Sequence, residues 1–261
     1  MNKLLAILLL SFFSISAHAE VQSRVIVYQV GGVEFTGYLA FDDATSAKRP
    51  GILVMHEWWG HNAYARKRAD MLAAMGYTAF ALDMYGTGKL AKHPDDAKAF
   101  MQAATSDMTV MKARFQAALD ILLKQPSVNQ EKTAVIGYCM GGGMALGMAR
   151  AGADVDGVVV FHGSLGTQVP AKKGQIKAEV MVFTGADDPF VPVEQVQAFK
   201  QEMNDAGVTY TLKSYAQTKH SFTNPEADRF AEEFGMPLAY NKVADKDSWQ
   251  QMQQFFKRLF K

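Results

Sequence analysis

Thr133-Ala-Val-Ile-Gly-Tyr-Cys-Met-Gly-Gly-Gly-Met-Ala-Leu146 is the stretch that decides the fold. It opens as an apolar strand and runs into small residues suited to the start of a helix. At its centre is Gly137-Tyr138-Cys139-Met140-Gly141, the pattern G-x-C-x-G. That spacing marks a sharp strand-to-helix turn that lifts a nucleophile above a sheet, here a cysteine where serine is usual. The flanking residues must be small because strand and helix nearly touch at such a turn. The helix start also favours a thiolate and a developing oxyanion through its dipole and free N–H groups. The competing reading is a buried structural cysteine beside a glycine-rich turn.

Outward from this turn, short apolar runs recur at wide spacing: 51–55, 78–82, 157–161, 180–183 and 209–215. Runs that are apolar on both faces suit a parallel sheet covered by helices. Helical periodicity or composition fills the gaps at 62–75, 107–123, 141–150, 193–206 and 248–260. Residues 24–29 and 34–41, around Gly31-Gly32, predict an antiparallel hairpin at the N-terminal edge. The expectation is a single doubly wound α/β domain over residues 20–261.

The first 19 residues read as a signal peptide, with Lys3, an apolar run from Leu4 to Phe13 and the small-x-small pattern Ala17-His18-Ala19. This predicts an exported protein, periplasmic or secreted, with no membrane segment after cleavage. One cysteine in the whole chain excludes an internal disulfide. Lys plus Arg number 27 against 26 Asp plus Glu, so no basic field invites nucleic acid. A small, weakly charged molecule is the expected partner, and a monomer the expected state.

The remaining candidates lie after the later strands. An acid then a histidine follow the nucleophile in this order of motifs. Asp188, with Asp187 as alternative, follows the strand that ends at Gly185, and His220 follows the last strand. Each could instead be a turn or loop residue. Read together, Cys139 attacks a carbonyl, His220 moves the protons and Asp188 orients the imidazole. The backbone N–H groups of Met140 and Trp58 are the expected oxyanion hole. Trp59, Tyr85, Tyr138, His162 and Phe190, with Trp58, are candidate pocket walls. A metal site from His56, Glu57, His61 and His162 is disfavoured, because its spacing does not match usual ligand sets. No metal or cofactor is expected.

Four motifs in order, Met55-His-Glu-Trp-Trp-Gly60, Gly137-Tyr-Cys-Met-Gly-Gly142, Gly185-Ala-Asp-Asp-Pro-Phe-Val-Pro192 and His220-Ser-Phe222, resemble those of the dienelactone hydrolases (carboxymethylenebutenolidases). The resemblance runs from about Val25 to the C-terminus. It implies the α/β-hydrolase fold and a Cys139–Asp188–His220 triad that cleaves a small ester or lactone through an acyl-enzyme. It also implies a role for Glu57, which in the family contacts the resting thiol and is displaced by substrate. The family's carboxylate-binding arginines are missing. Thr223-Asn224-Pro225-Glu226 follows the His-Ser-Phe motif, and the other expected region holds Lys89, Lys92 and Lys98. A lysine does not replace a bidentate guanidinium fork. An acyltransferase or thioesterase on the same triad, or a thiol-bearing binding protein without catalysis, are the alternatives.

Overall fold

The structure, a computed structural model, describes residues 21–44 and 46–261. The leader read over residues 1–19 lies outside them. Among the described residues, eight strands form one sheet in the order β1-β2-β4-β3-β5-β6-β7-β8. β1 (Val21–Val30) and β2 (Val33–Asp42) are the expected hairpin, in register from Val21↔Asp42 to Val30↔Val33. Gly31 and Gly32 both adopt positive φ (59° and 78°), as a two-residue turn between twisted strands requires.

β2 pairs antiparallel with β4 (Thr78–Leu82), and every later pairing is parallel. β3 (Arg49–Met55) lies between β4 and β5 (Val128–Tyr138). The strand order therefore reverses beside β3, and such a reversal leaves a crevice at the carboxyl ends of the strands. β6 (Gly157–Phe161), β7 (Glu179–Gly185) and β8 (Tyr210–Tyr215) complete the sheet.

Alternation along β3 divides the core into two layers. Leu53 and Met55 face a cluster with α3 (Met108–Leu123), α4 (Met140–Arg150) and α5 (Val193–Asp205). Ile52 and Val54 face the other cluster, with α1 (Ala63–Ala73) and α7 (Lys242–Leu259). The outermost strand, β8, is tied to α7. Lys213 Nζ and Tyr215 OH both reach Asp247 Oδ2 at 2.7 Å.

Two helices exceed the sequence expectation: α2 (Pro94–Thr105) and α6 (Ala227–Phe234). Each carries a short apolar stripe, Ala97, Phe100, Met101 and Ala104 in α2 and Ala227, Phe230, Ala231 and Phe234 in α6, which the sequence reading passed over because few of these residues are fully buried. α7 also begins at Lys242 rather than 248, because its first turn is polar and capped by the Asn241 side chain. Among the described residues no helix is long and apolar enough to cross a membrane.

The join between β5 and α4 is the tightest point of the fold. A Cβ on Gly137 would lie 2.2 Å from the Gly141 carbonyl oxygen. One on Gly141 would lie 2.5 Å from the carbonyl oxygens of Met55 and His56. By contrast, one on Gly143 meets nothing closer than 3.4 Å. Gly141→Ala should therefore cost about 3 kcal/mol or more in chemical denaturation, since only backbone could yield. Gly143→Ala should be neutral or stabilising by up to about 1 kcal/mol. Equal stability of the two variants would contradict this account.

Candidate active site

Cys139 sits at the apex of the β5–α4 turn with φ 52° and ψ −118°. This is a strained conformation for a residue with a side chain. Two contacts of its own N–H hold it there. The N–H donates to the Phe161 carbonyl at 3.0 Å and to His162 Nδ1 at 3.2 Å. Its thiol is partly exposed.

His220 follows β8 and is 6% exposed. Its Nδ1 lies 2.7 Å from Asp188 Oδ2, and its ring also meets the Cys139 side chain. Burial opposes a charge on this imidazole. The electrostatic pull of the Cys139 side chain, helped by hydrogen bonds to Asp188 and Cys139, outweighs burial and pushes His220 up to about 10. Asp188 is buried and also accepts the Phe190 N–H at 2.9 Å. Asp187 is exposed, so Asp188 is the carboxylate that reaches the histidine. β5, β7 and β8 thus deliver the three expected residues to one place.

Glu57, after β3, is buried beneath the same site. Its Oε2 accepts the Asn224 amide at 2.6 Å and its Oε1 the Ser221 hydroxyl at 3.3 Å. A buried carboxylate needs such donors, and the sulfur is already turned to His220. The carboxylate is therefore engaged by Asn224 and Ser221, not by the thiol as the resemblance implied. Burial pushes its pKa up, against the pull of Asn224 and His220.

The N–H groups of Met140 and Trp58 have no protein acceptor among the described residues, whereas those of Gly142 and Gly143 are spent on the Cys139 carbonyl. Both residues line the same cavity as Cys139. This cavity, of about 220 Å³, opens over Cys139 and His220. Trp58 and Phe190 line it as expected.

Four of the expected wall residues do not. Trp59 is buried against Phe230 of α6, with ring centroids 4.3 Å apart. Tyr85 lies behind the wall, its hydroxyl donating to the Trp58 carbonyl at 2.9 Å and to Met140 Sδ at 3.0 Å. Tyr138 precedes the nucleophile, so strand alternation points it into the other layer, stacked on Phe161 at 4.7 Å. His162 is fully buried, held by the Cys139 N–H and by Thr223 Oγ1 at 2.7 Å. The structure supplies Met101, Ser164, Met236 and Leu238 instead. Met236 and Leu238 follow α6, a short helix that the sequence reading did not include.

Thr223 was also missed. Its hydroxyl joins Tyr64 OH (2.6 Å) to His162 Nε2, and its carbonyl accepts Arg68 Nη2 at 2.7 Å. Because His162 Nδ1 accepts the Cys139 N–H, its Nε2 carries the proton and donates to Thr223. Burial, reinforced by His220 and Arg68, holds His162 neutral. His56 is spent similarly, accepting the Met84 N–H at Nε2, 3.1 Å away. Among the described residues no group of three His, Cys, Asp or Glu could hold a metal ion.

Two predictions follow from this geometry. Since Cys139 is the strongest influence raising His220, Cys139→Ala should lower the imidazole pKa. NMR titration should find His220 protonated at pH 8 in the wild type and titrating at lower pH in the variant. By the same sign, the proton on His220 stabilises the fold fully below about pH 6.5, and this contribution is lost as pH rises through about 10. An unmoved titration would refute the coupling. Separately, Thr223→Val strands the buried His162 N–H and should cost about 1–3 kcal/mol in denaturant midpoint analysis, with Thr223→Ser recovering most of it.

Residues 35–260 match the model of the dienelactone hydrolase family. The solved structure named m3DLH is similar with a TM-score of 0.86 and 36% identity, over 92% of this chain and 98% of that one. A dienelactone hydrolase-like promiscuous phosphotriesterase from metagenomic libraries superposes with a TM-score of 0.84 and 34% identity, over 93% and 99%. The carboxymethylenebutenolidase of Pseudomonas putida is 28% identical over 191 residues, 70% of this chain and 79% of that enzyme. With a match over most of its length, an eight-stranded sheet of the family's kind and its four motifs in order, this chain belongs to the dienelactone hydrolase family and is a hydrolase.

Proposed function

We propose that this hydrolase cleaves small esters or lactones with Cys139 as nucleophile and a thioester acyl-enzyme as intermediate. The observation that carries the reading is the run of contacts at the cavity floor. Asp188 Oδ2 lies 2.7 Å from His220 Nδ1, and the same imidazole meets Cys139 on its strained turn. A histidine held charged beside a sulfur favours the thiolate, the form that attacks.

The steps balance as follows. The thiolate forms a C–S bond to the carbonyl carbon, and the carbonyl oxygen takes the negative charge. The N–H groups of Met140 and Trp58, which have no protein acceptor among the described residues, are the donors for that oxygen. The C–O bond to the leaving group then breaks, and His220 gives the departing oxygen its proton. Neutral His220 next takes a proton from water, whose oxygen attacks the thioester. The carboxylic acid leaves, and the thiolate and charged imidazole are restored. Asp188 holds the ring throughout and supports its charged form. The resting role of Glu57 would require its carboxylate to exchange Asn224 and Ser221 for the thiol.

Replacing Cys139 by Ala should lower kcat/KM for p-nitrophenyl butyrate by roughly 10⁴-fold or more, as loss of a nucleophile does in triad enzymes. Quenched wild-type turnover should yield protein heavier by one acyl group on Cys139. A variant with wild-type turnover, or acylation elsewhere, would sink the reading.

A further inference from the structure

The cavity over Cys139 is walled by Trp58, Met101, Met140, Phe190, Met236 and Leu238. Apart from the reacting Cys139 and His220, Ser164 is its one polar lining residue. Among the described residues no lysine or arginine lines it. Arg68 is committed to Asp245 Oδ1 and the Thr223 carbonyl, both at 2.7 Å, and Arg114 to the Met84 carbonyl, also at 2.7 Å. The buried acidic groups near His220 are carboxyls, Asp188 and Glu57, which offer an anion no counter-charge. An anionic substituent entering this space would leave water and meet no lysine or arginine, and the one cation at the floor, His220, is already paired with Asp188 and the sulfur. Its own sign would be set against the thiolate. An apolar group entering it meets thioethers and rings, and methionine side chains re-pack around irregular shapes.

Met236 and Leu238 belong to a strap, residues 235–241, between α6 and α7. The strap runs with the loop that carries the base. Leu238 bridges His220 in parallel, Ala239 N–H donates to the His220 carbonyl at 3.2 Å, and Asn241 N–H to the Phe222 carbonyl at 3.0 Å. At its other end Phe230 and Phe234 pack on Trp59. The two side chains that roof the cavity are thus held in register with the catalytic histidine.

We infer that the site selects uncharged substrates with a short apolar acyl group, simple esters and neutral lactones, that it turns away those bearing a carboxylate near the scissile bond, and that Met236 and Leu238 on the strap enforce the choice. The inference rests on the ester-hydrolase reading above and narrows it. A volume of about 220 Å³ corresponds to roughly seven waters of liquid, which suits a small acyl group.

The test compares p-nitrophenyl butyrate with p-nitrophenyl hemisuccinate, which share a leaving group and differ in a terminal carboxylate. The purified protein should prefer the butyrate by roughly a hundredfold in kcat/KM, the discrimination expected when a group must be buried unpaired. Leu238→Arg should shift the ratio toward the hemisuccinate by at least about tenfold, by placing a cation in the roof. Hydrolysis of both esters within threefold of each other would overturn the selection, and a ratio unmoved in Leu238→Arg would overturn the part given to the strap. If the wild type is no faster than Cys139→Ala on either ester, the hydrolase reading fails first and the inference with it.

Discussion

The close approach of α4 to the end of β3 is the constraint on which the rest depends. Strand, turn and helix pass so near each other that positions 137 and 141 have no room for a side chain. Only then can residue 139 be forced to positive φ with its sulfur above the sheet. The strain is held by ordinary means: two acceptors on one N–H, a neutral histidine behind it and a threonine hydroxyl behind that. Strain of this kind persists only where the surroundings over-determine it.

Electrostatics then sort the buried groups by role. His162 and His220 have rings 5.2 Å apart, yet burial keeps one neutral while the sulfur and Asp188 keep the other charged. The neutral ring can serve as an acceptor for the backbone, and the charged ring can exchange protons. Glu57, beneath both, is satisfied by donors from the segment that bears His220. One short stretch, His220 to Asn224, therefore supplies the imidazole beside Cys139, the partners of Glu57 and the lock on His162.

Much of this was legible in the sequence because the chemistry is local. The G-x-C-x-G turn, the acid after β7 and the histidine after β8 each sit in a few residues whose order has one spatial meaning in a doubly wound sheet. The hairpin and most strands announced themselves by glycine pairs and apolar runs. What stayed hidden depends on contacts distant in sequence. Tyr138 and Tyr85 look like pocket aromatics until strand alternation sends one to the far layer and a hydroxyl contact ties the other behind Trp58. Met236 and Leu238 carry no pattern of their own, and they become walls only because the strap pairs with His220. The partners of Glu57 were likewise invisible, since Ser221 and Asn224 read as ordinary loop residues.

The placement of His220 just after β8 has a further meaning. β8 is the sheet's last strand, with one neighbour, β7, and an anchor to α7 through Asp247. Strands at a sheet's margin have the fewest bonds to break and open by local rather than global unfolding. Asp188 and His220 follow the two strands of this outer pair, whereas Cys139 follows β5 in the interior of the sheet. Fraying at one margin would thus separate His220 from Cys139 while the central strands stayed folded, so the molecule's working lifetime is bounded by its periphery and not by its core.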